Sequence, residues 1–337
     1  MNTNNYFKKL IKNKANELLS LVDISLVKPT SIHFSISNRC NLSCKLCDIW
    51  KVQKLPELTT NEVKAIILKL KKWLGSFLLN FAGGEPFLRK DMINIIRFCT
   101  KYDIQTSVTT NGILIDKKLA KRILVSGLTN ISISLDSLNP IVHDYIRNKK
   151  GTFEQVYKAI QYLNVKKRNL CIVIASVVNE YNLESLPKMA LWIKKHNLNG
   201  FNLQPIFNNF GSPYKSNWYI DNEFWPGDYH RVSRVFDKLI RDRKNGSKLV
   251  NSVKQLKLMK EYFRNPNGNT RMKCKVGIKN FAINEYGDAL LCFWLPPIGN
   301  VLKEEPDDIW GSYLAKQRRK QISACTRNCK LLNCHYD

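Results

Sequence analysis

From Ser31 onward the chain runs in short stretches of alternating apolar and polar positions, each followed by a stretch with helical spacing. SIHFSIS (31–37) predicts a strand, and TTNEVKAIILKLKKWL (59–74) a helix with a threonine cap. FLLNFA (77–82) predicts the second strand, KDMINIIRFCTKY a helix and IQTSVTT (104–110) the third strand. DKKLAKRILVSG predicts a helix ended by Gly127, followed by the strand LTNISISLD (128–136). TFEQVYKAIQYLNVKK, LCIVIASVV (170–178), LESLPKMALWIKKH and GFNLQPI (200–206) continue as helix, strand, helix and strand. Six strands separated by five helices, with short connections, imply right-handed crossovers and a parallel sheet. With no obvious reversal point, the repeats favour a curved α/β fold, a partial (β/α)6 TIM-type barrel over residues 30–209.

The flanks read differently. In residues 1–29, Phe7, Leu10, Ile11, Leu18, Leu19 and Val22 form one stripe of an amphipathic helix with lysines opposite. Such a helix packs on the domain that follows or lies on an anionic membrane. Residues 210–269 are aromatic and polar, then basic, and read as a connector that helps to wall a site. NPNGN (265–269) closes it as a linker. Residues 270–337 form a small cysteine-rich domain in which NFAINEYGDALLCF predicts a hairpin turning at EYGD.

Composition narrows the class. With 44% hydrophobic residues the chain can bury a large core, and no apolar run approaches a membrane span or a signal peptide. A soluble cytoplasmic protein with no transmembrane segment follows, where ten cysteines are metal ligands or buried residues rather than disulfides. The 54 Lys and Arg against 27 Asp and Glu are compatible with an anionic surface or a phosphorylated substrate. The lysines are spread through every segment, however, and no basic run is interleaved with aromatics as in a nucleic-acid platform.

The unusual residues collect where ligand-binding loops of a parallel barrel lie, after the C-terminal strand ends. Cys40, Cys44 and Cys47 follow the first strand, GGEP (83–86) the second, TTNG (109–112) the third and SLDS (134–137) the fourth. Asn179 and Asn182 follow the fifth, and Gln204 lies near the end of the sixth. Structural zinc takes four closed ligands, whereas a cubane cluster held by three thiolates keeps one iron open. Cys99 and Cys171 are alternative fourth ligands, but each sits in an apolar element, and a zinc site borrowing His33 is a further alternative.

The sequence resembles the radical S-adenosylmethionine (SAM) superfamily. CNLSCKLC matches its CX3CX2C signature, GGEP its second motif, and SISLDS with HDYIRNKKGTF its fourth-strand region, over roughly residues 30–206. Leu46 departs from the aromatic residue many members carry before the third cysteine, which weakens packing over the cluster rather than ligation. The resemblance implies that Cys40, Cys44 and Cys47 hold a [4Fe–4S] cluster whose open iron is chelated by the SAM amino and carboxylate groups. It implies that the Gly83–Gly84–Glu85 backbone meets the SAM amino group, with Ser134 and Arg147 as candidates for its carboxylate or ribose. Asn111, Asn179 and Gln204 are candidates for ribose and adenine; each of these polar residues also has a plain structural reading at a loop or cap.

At the C-terminus, Cys274, Gly287 and Cys292 in a CX12GX4C pattern, followed by Cys325, Cys329 and Cys334, resemble the SPASM and twitch extensions of that superfamily. Five cysteines imply one auxiliary iron–sulfur cluster, held by Cys274, Cys292, Cys329 and Cys334 with Cys325 spare; zinc with His335 is the alternative. The expectation is an enzyme that cleaves SAM to a 5′-deoxyadenosyl radical with an electron from a donor such as flavodoxin or ferredoxin. The radical would abstract hydrogen from a peptide or protein, or alternatively from a carbohydrate, nucleotide or lipid-linked small molecule. A zinc-stabilised nucleic-acid-binding protein is the reading from a different class.

Overall fold

The computed structural model describes residues 27–29, 31–165, 169–268 and 274–331. The amphipathic helix expected in residues 1–29, Cys334 and His335 therefore lie outside the described residues, apart from a short stretch at 27–29. There, the Val27 carbonyl accepts from the Trp310 indole N–H at 2.7 Å, and the Lys28 ammonium donates to the Trp73 carbonyl at 2.8 Å.

Six parallel strands form the centre: β1 (Ser31–Ser37), β2 (Leu78–Gly83), β3 (Gln105–Thr110), β4 (Asn130–Ser134), β5 (Cys171–Val178) and β6 (Gly200–Pro205). The intervening helices are α1 (Thr60–Leu74), α2 (Met92–Lys101), α3 (Lys117–Leu124), α4 (Pro140–Arg147), α5 (Thr152–Leu163) and α6 (Leu186–Lys195). Thus the β4–β5 crossover carries two helices rather than the one expected. The extra helix, α4, begins at Asn139, whose side chain accepts from the Ile141 N–H, with Pro140 in the first turn. α1 starts as the sequence implies: Thr59 and Glu62 form a reciprocal capping box. Its residues Val63, Ile66, Ile67, Leu70, Trp73 and Leu74 are buried at helical spacing. Gly75, at φ +67°, ends it.

The connector contains α7 (Tyr229–Lys244) and α8 (Val253–Arg264), which pack on each other, with α7 also on α6. The segment between them closes the outer edge of β6. Phe201 N–H donates to the Lys248 carbonyl and Val250 N–H to the Phe201 carbonyl, both at 2.8 Å. The Asn251 amide then bonds the Leu203 N–H and carbonyl at 2.8 and 2.9 Å, as a strand backbone would.

Beyond residue 274 come α9 (Val276–Lys279), β7 (Asn280–Ile283), β8 (Asp288–Leu290), β9 (Gly299–Asn300), α10 (Pro306–Gly311) and α11 (Tyr313–Ser323). The hairpin turns at EYGD as expected, with β7 and β8 antiparallel. β7 also pairs in parallel with β1, Ser31 opposite Asn280, so one open nine-stranded sheet runs β6-β5-β4-β3-β2-β1-β7-β8-β9. This open curved sheet is the partial barrel expected; β1 is an interior strand.

One face of the six-stranded part is the core. Ile32, Phe34, Leu79, Phe81, Val108, Ile131, Ile133, Ile172, Ile174 and Phe201 are fully buried. The alternate positions are half-buried and mostly polar, which is unusual for a parallel sheet, where both faces are normally apolar.

Candidate functional site

The cysteine loop leaves the end of β1 and is held by backbone bonds to two neighbouring loops and to the last turn of α4. Arg39 O accepts from Glu85 N–H at 2.8 Å, Lys45 N–H donates to the Ile146 carbonyl at 3.0 Å, and Asp48 N–H donates to the Phe210 carbonyl at 2.9 Å. Cys40, Cys44 and Cys47 are all half-buried on this loop. Burial pushes the Cys47 thiol up to about 11 and the Cys40 thiol in the same direction, with neighbouring cysteine sulfurs adding to both. A cationic group bound there would offset both effects.

Gly83 and Gly84 permit the loops after β1 and β2 to touch. A Cβ at Gly84 would lie 2.2 Å from the Arg39 carbonyl oxygen, and one at Gly83, where φ is +116°, 2.3 Å from that of Ser37. The Gly84 and Glu85 N–H groups are spent on the Ser37 and Arg39 carbonyls at 2.7 and 2.8 Å, so this turn offers an amino group carbonyl oxygens rather than donors. The Glu85 side chain points inward and ties β2 to β3. It accepts from the Thr110 hydroxyl and Asn111 N–H at 2.8 Å each and from Phe87 N–H at 3.1 Å. Burial raises its carboxyl to about 7 despite these donors. The Asn111 side chain donates to Asn41 Oδ1 at 2.8 Å and accepts from Ile113 N–H at 3.1 Å, so it braces the cysteine loop.

Arg147, at the end of α4, is placed beside the cysteines. Its Nη2 lies 2.7 Å from the buried Asp136 carboxylate, and its Nη1 donates towards Cys44 Sγ at 3.9 Å. Burial alone would lower its basicity, but Asp136 and Cys44 outweigh it and raise it. Half the guanidinium fork is thus occupied, leaving less for the bidentate carboxylate contact expected from sequence. Asp136 also accepts from Val177 N–H at 3.2 Å, and its own N–H donates to His143 Nδ1 at 3.2 Å. Burial first, then Arg147, depresses the His143 imidazole to about 4, keeping it neutral. Sequence reasoning assigned no role to Asp136 or His143; an acid at the strand end, eleven residues before a basic helix terminus, was the available signal for the first.

Ser134 ends β4 on the half-buried face, and Gln204 lies on the same face of β6. Asn179 is different. It is fully buried, its amide donates to the Val177 carbonyl at 2.8 Å and its oxygen accepts from Tyr181 N–H at 3.0 Å. Its structural reading as a turn-former is the one the geometry supports. Gln204, Arg147, Cys44, Cys47, Asp136 and Phe210 are among the residues lining one cavity of about 180 Å³ at the strand ends.

A second cavity, of about 270 Å³, is lined by Cys274, Cys292, Cys325 and Cys329. Burial raises the Cys292 thiol, with Cys274 and Cys325 adding to it, and Trp294 N–H donates to its sulfur at 3.5 Å. Cys325 was expected to be the spare thiol; the geometry counts against that, because the end of α11 brings it to the cavity, its N–H donating to the Ile322 carbonyl at 3.2 Å. An aromatic wall separates the two cavities: Phe210 stacks on Trp294 with centroids 5.7 Å apart, and Phe207 meets Trp294 at 6.0 Å. Cys99 is a core residue, fully buried in α2, and His33 lies on β1 against Asn80, at 3.3 Å. Among the described residues no three His, Cys, Asp or Glu converge on a point that would hold a single metal ion. In a cubane each cysteine sulfur meets a different iron; the four thiols on the second cavity's wall, and Cys44 and Cys47 on the first with Cys40 as their neighbour, fit that group.

Residues 34–193 match the model of the Radical SAM superfamily. The AdoMet-dependent heme synthase of Methanosarcina barkeri is 25% identical over 84% of this chain and 82% of its own length. The probable GTP 3′,8-cyclase of Methanosarcina acetivorans is 36% identical over 48% of this chain, which spans about half (49%) of that relative. Streptococcus suis SuiB, solved bound to its precursor peptide SuiA, superposes with a TM-score of 0.67 at 17% identity, over 91% of this chain and 71% of SuiB. With the paired motifs at consecutive strand ends, residues 34–193 form a domain of the radical SAM superfamily, and the chain is an enzyme.

Proposed function

We propose that this enzyme uses AdoMet cleavage to abstract hydrogen from a peptide or protein substrate seated at the strand ends beside the first cysteine-lined cavity. Cys40, Cys44 and Cys47 would hold the [4Fe–4S] cluster, which would supply the electron for reductive cleavage of AdoMet to methionine and a 5′-deoxyadenosyl radical. The chain's own work is positional. Gly83 and Gly84 offer carbonyl oxygens to the AdoMet amino group, Ser134 and Gln204 face its ribose and adenine, and Arg147, held by Asp136, sets charge beside Cys44. Asn111 and Asn179 act by bracing their loops. Phe207, Phe210 and Trp294 exclude water from the space next to the radical.

The observation that carries this reading is the cavity bounded by Cys44, Cys47, Arg147 and Gln204 at the strand ends. The fold shared with SuiB, which was solved with a peptide, supports the choice of substrate. Residues 30–209 would be the radical SAM barrel, 210–269 its connector and 270–337 a twitch-like module. In that module Cys274, Cys292, Cys325 and Cys329 would hold an auxiliary cluster. A flavodoxin or ferredoxin would deliver the electron.

Replacing Cys40, Cys44 and Cys47 together with Ala tests the first centre. The thiols sit on a loop, so the variant should fold, keep its auxiliary iron and form no 5′-deoxyadenosine with AdoMet and reductant. Continued reductant-dependent 5′-deoxyadenosine formation would overturn the assignment.

A further inference from the structure

The sheet face turned away from the helices has a chemistry that the AdoMet site does not explain. Ser35, Ser107, Thr109, Ser132 and Asn202 lie on it half-buried alongside Ser134, and none of these five side chains has a hydrogen-bond partner among the described residues. They are neighbours across the strands. Thr109 sits beside Ser132, Ser134 beside Ala175, and Ala175 beside Asn202. The interior of a barrel that receives nothing is filled by branched apolar side chains. Here hydroxyls and amides are presented with their hydrogen-bonding capacity unused, which is costly unless water or a ligand satisfies it.

Charge is missing from the same surface. Although the chain carries a formal +27, none of these half-buried positions on the six strands is Asp, Glu, Lys or Arg. The one titratable ring, His33, is within hydrogen-bond distance of Asn80 (3.3 Å) and Ser31 (3.4 Å). At the rim, Arg147 is matched by Asp136, and Glu85 is turned into the β2–β3 junction. A carboxylate or phosphate entering here would lose water and meet no unmatched cation among the described strand positions.

We propose that the substrate segment received by this face is uncharged and rich in hydroxyl and amide groups. It would be a peptide stretch of residues such as Ser, Thr, Asn, Gln and Gly, and not a carboxylate- or phosphate-bearing ligand. This rests on the radical SAM reading of the same site and specifies what that site accepts. It sets the chain apart from a substrate such as GTP, which one of its relatives is named for.

The test uses the full chain, reconstituted anaerobically with iron, sulfide and AdoMet. It is dialysed to equilibrium against short end-blocked peptide pools of neutral polar residues, and against the same pools with one Asp or one Lys inserted. GTP, coproporphyrin III and maltotriose are tested alongside. The neutral pool should be retained roughly tenfold more than either charged pool, and GTP and the porphyrin not at all. Asn202→Asp, nearly isosteric, should move the preference to the Lys-containing pool by roughly tenfold, which locates the binding on this face. Retention of GTP or the porphyrin above the neutral pool, no discrimination among pools, or an unchanged preference in Asn202→Asp overturns the proposal. Retention of maltotriose alone upholds the uncharged polar chemistry but overturns a peptide as its source. Reductant-dependent 5′-deoxyadenosine from the same preparation is the separate control. If it forms while the neutral pool is not retained, only this inference fails; if it never forms, the radical reading itself fails.

Discussion

Asp136 and Arg147 are paired where neither charge is well solvated, the acid being 1% and the base 15% exposed. Arg147→Met would leave a buried carboxylate alone, a loss of about 3–5 kcal/mol. Asp136→Asn in the same chain should restore much of it, and urea unfolding of both single variants and the double variant measures the coupling. Additive losses would show that the pair does not act as a unit. Glu85 makes a different prediction. Below about pH 4.5 its carboxyl is protonated in both folded and unfolded chains; between there and about 7 only the unfolded chain ionises readily. The raised carboxyl therefore contributes stability at low pH that is lost as pH rises through 7, about 3 kcal/mol over the window. Glu85→Gln cannot titrate, so its deficit relative to the parent should shrink as pH rises; a constant deficit would contradict this. These residues also mark the limit of what a sequence reveals. Arg147 was recognisable as a site residue from its motif. That its guanidinium is shared with Asp136, and that the Asn179 amide is consumed by its own turn, depend on side-chain direction, which spacing does not encode.

The elements were mostly legible because their signals are local. Alternation marked β1 to β6, the Thr59 cap marked the start of α1, and Gly127 the end of the α3 segment. α4 escaped although Asn139 and Pro140 are a helix-start signal: it lies only four residues before α5, and pattern reading gives the stretch one helix beginning at Thr152. The glycine turn after β2 is the element whose failure should be most specific. Gly84→Ala places a methyl group against the Arg39 carbonyl and must move the cysteine loop or the turn. The expected variant is folded by circular dichroism, with AdoMet binding weakened roughly tenfold or more in calorimetry. Parent-like affinity would mean that the turn does not shape the AdoMet site.

Across the whole molecule, the pairing of β7 with β1 was invisible to pattern reading, because parallel partners 249 residues apart leave no local trace. The same holds for the second cavity: five C-terminal cysteines were evident, but which of them face one another was not. The cavity predicts that Cys292→Ala and Cys325→Ala each lose about four irons on reconstitution, one cubane's worth. Cys99→Ala, in the core, should lose none. Parent-like iron in Cys325→Ala would return that position to the role of spare thiol.

The interior position of β1 has a consequence for biosynthesis. Its partner β7 is translated more than two hundred residues later, at about 5–20 residues per second, so this flank of the nascent sheet stays uncovered for roughly 10–50 s on the ribosome. During that interval the strand that leads into the first three cysteines has an open hydrogen-bonding edge, the kind that invites pairing with another chain. Only when the last sixty residues emerge does the protein gain both the cover for that edge and the second group of thiols. The order of translation thereby completes the first cysteine loop well before the second group of thiols exists.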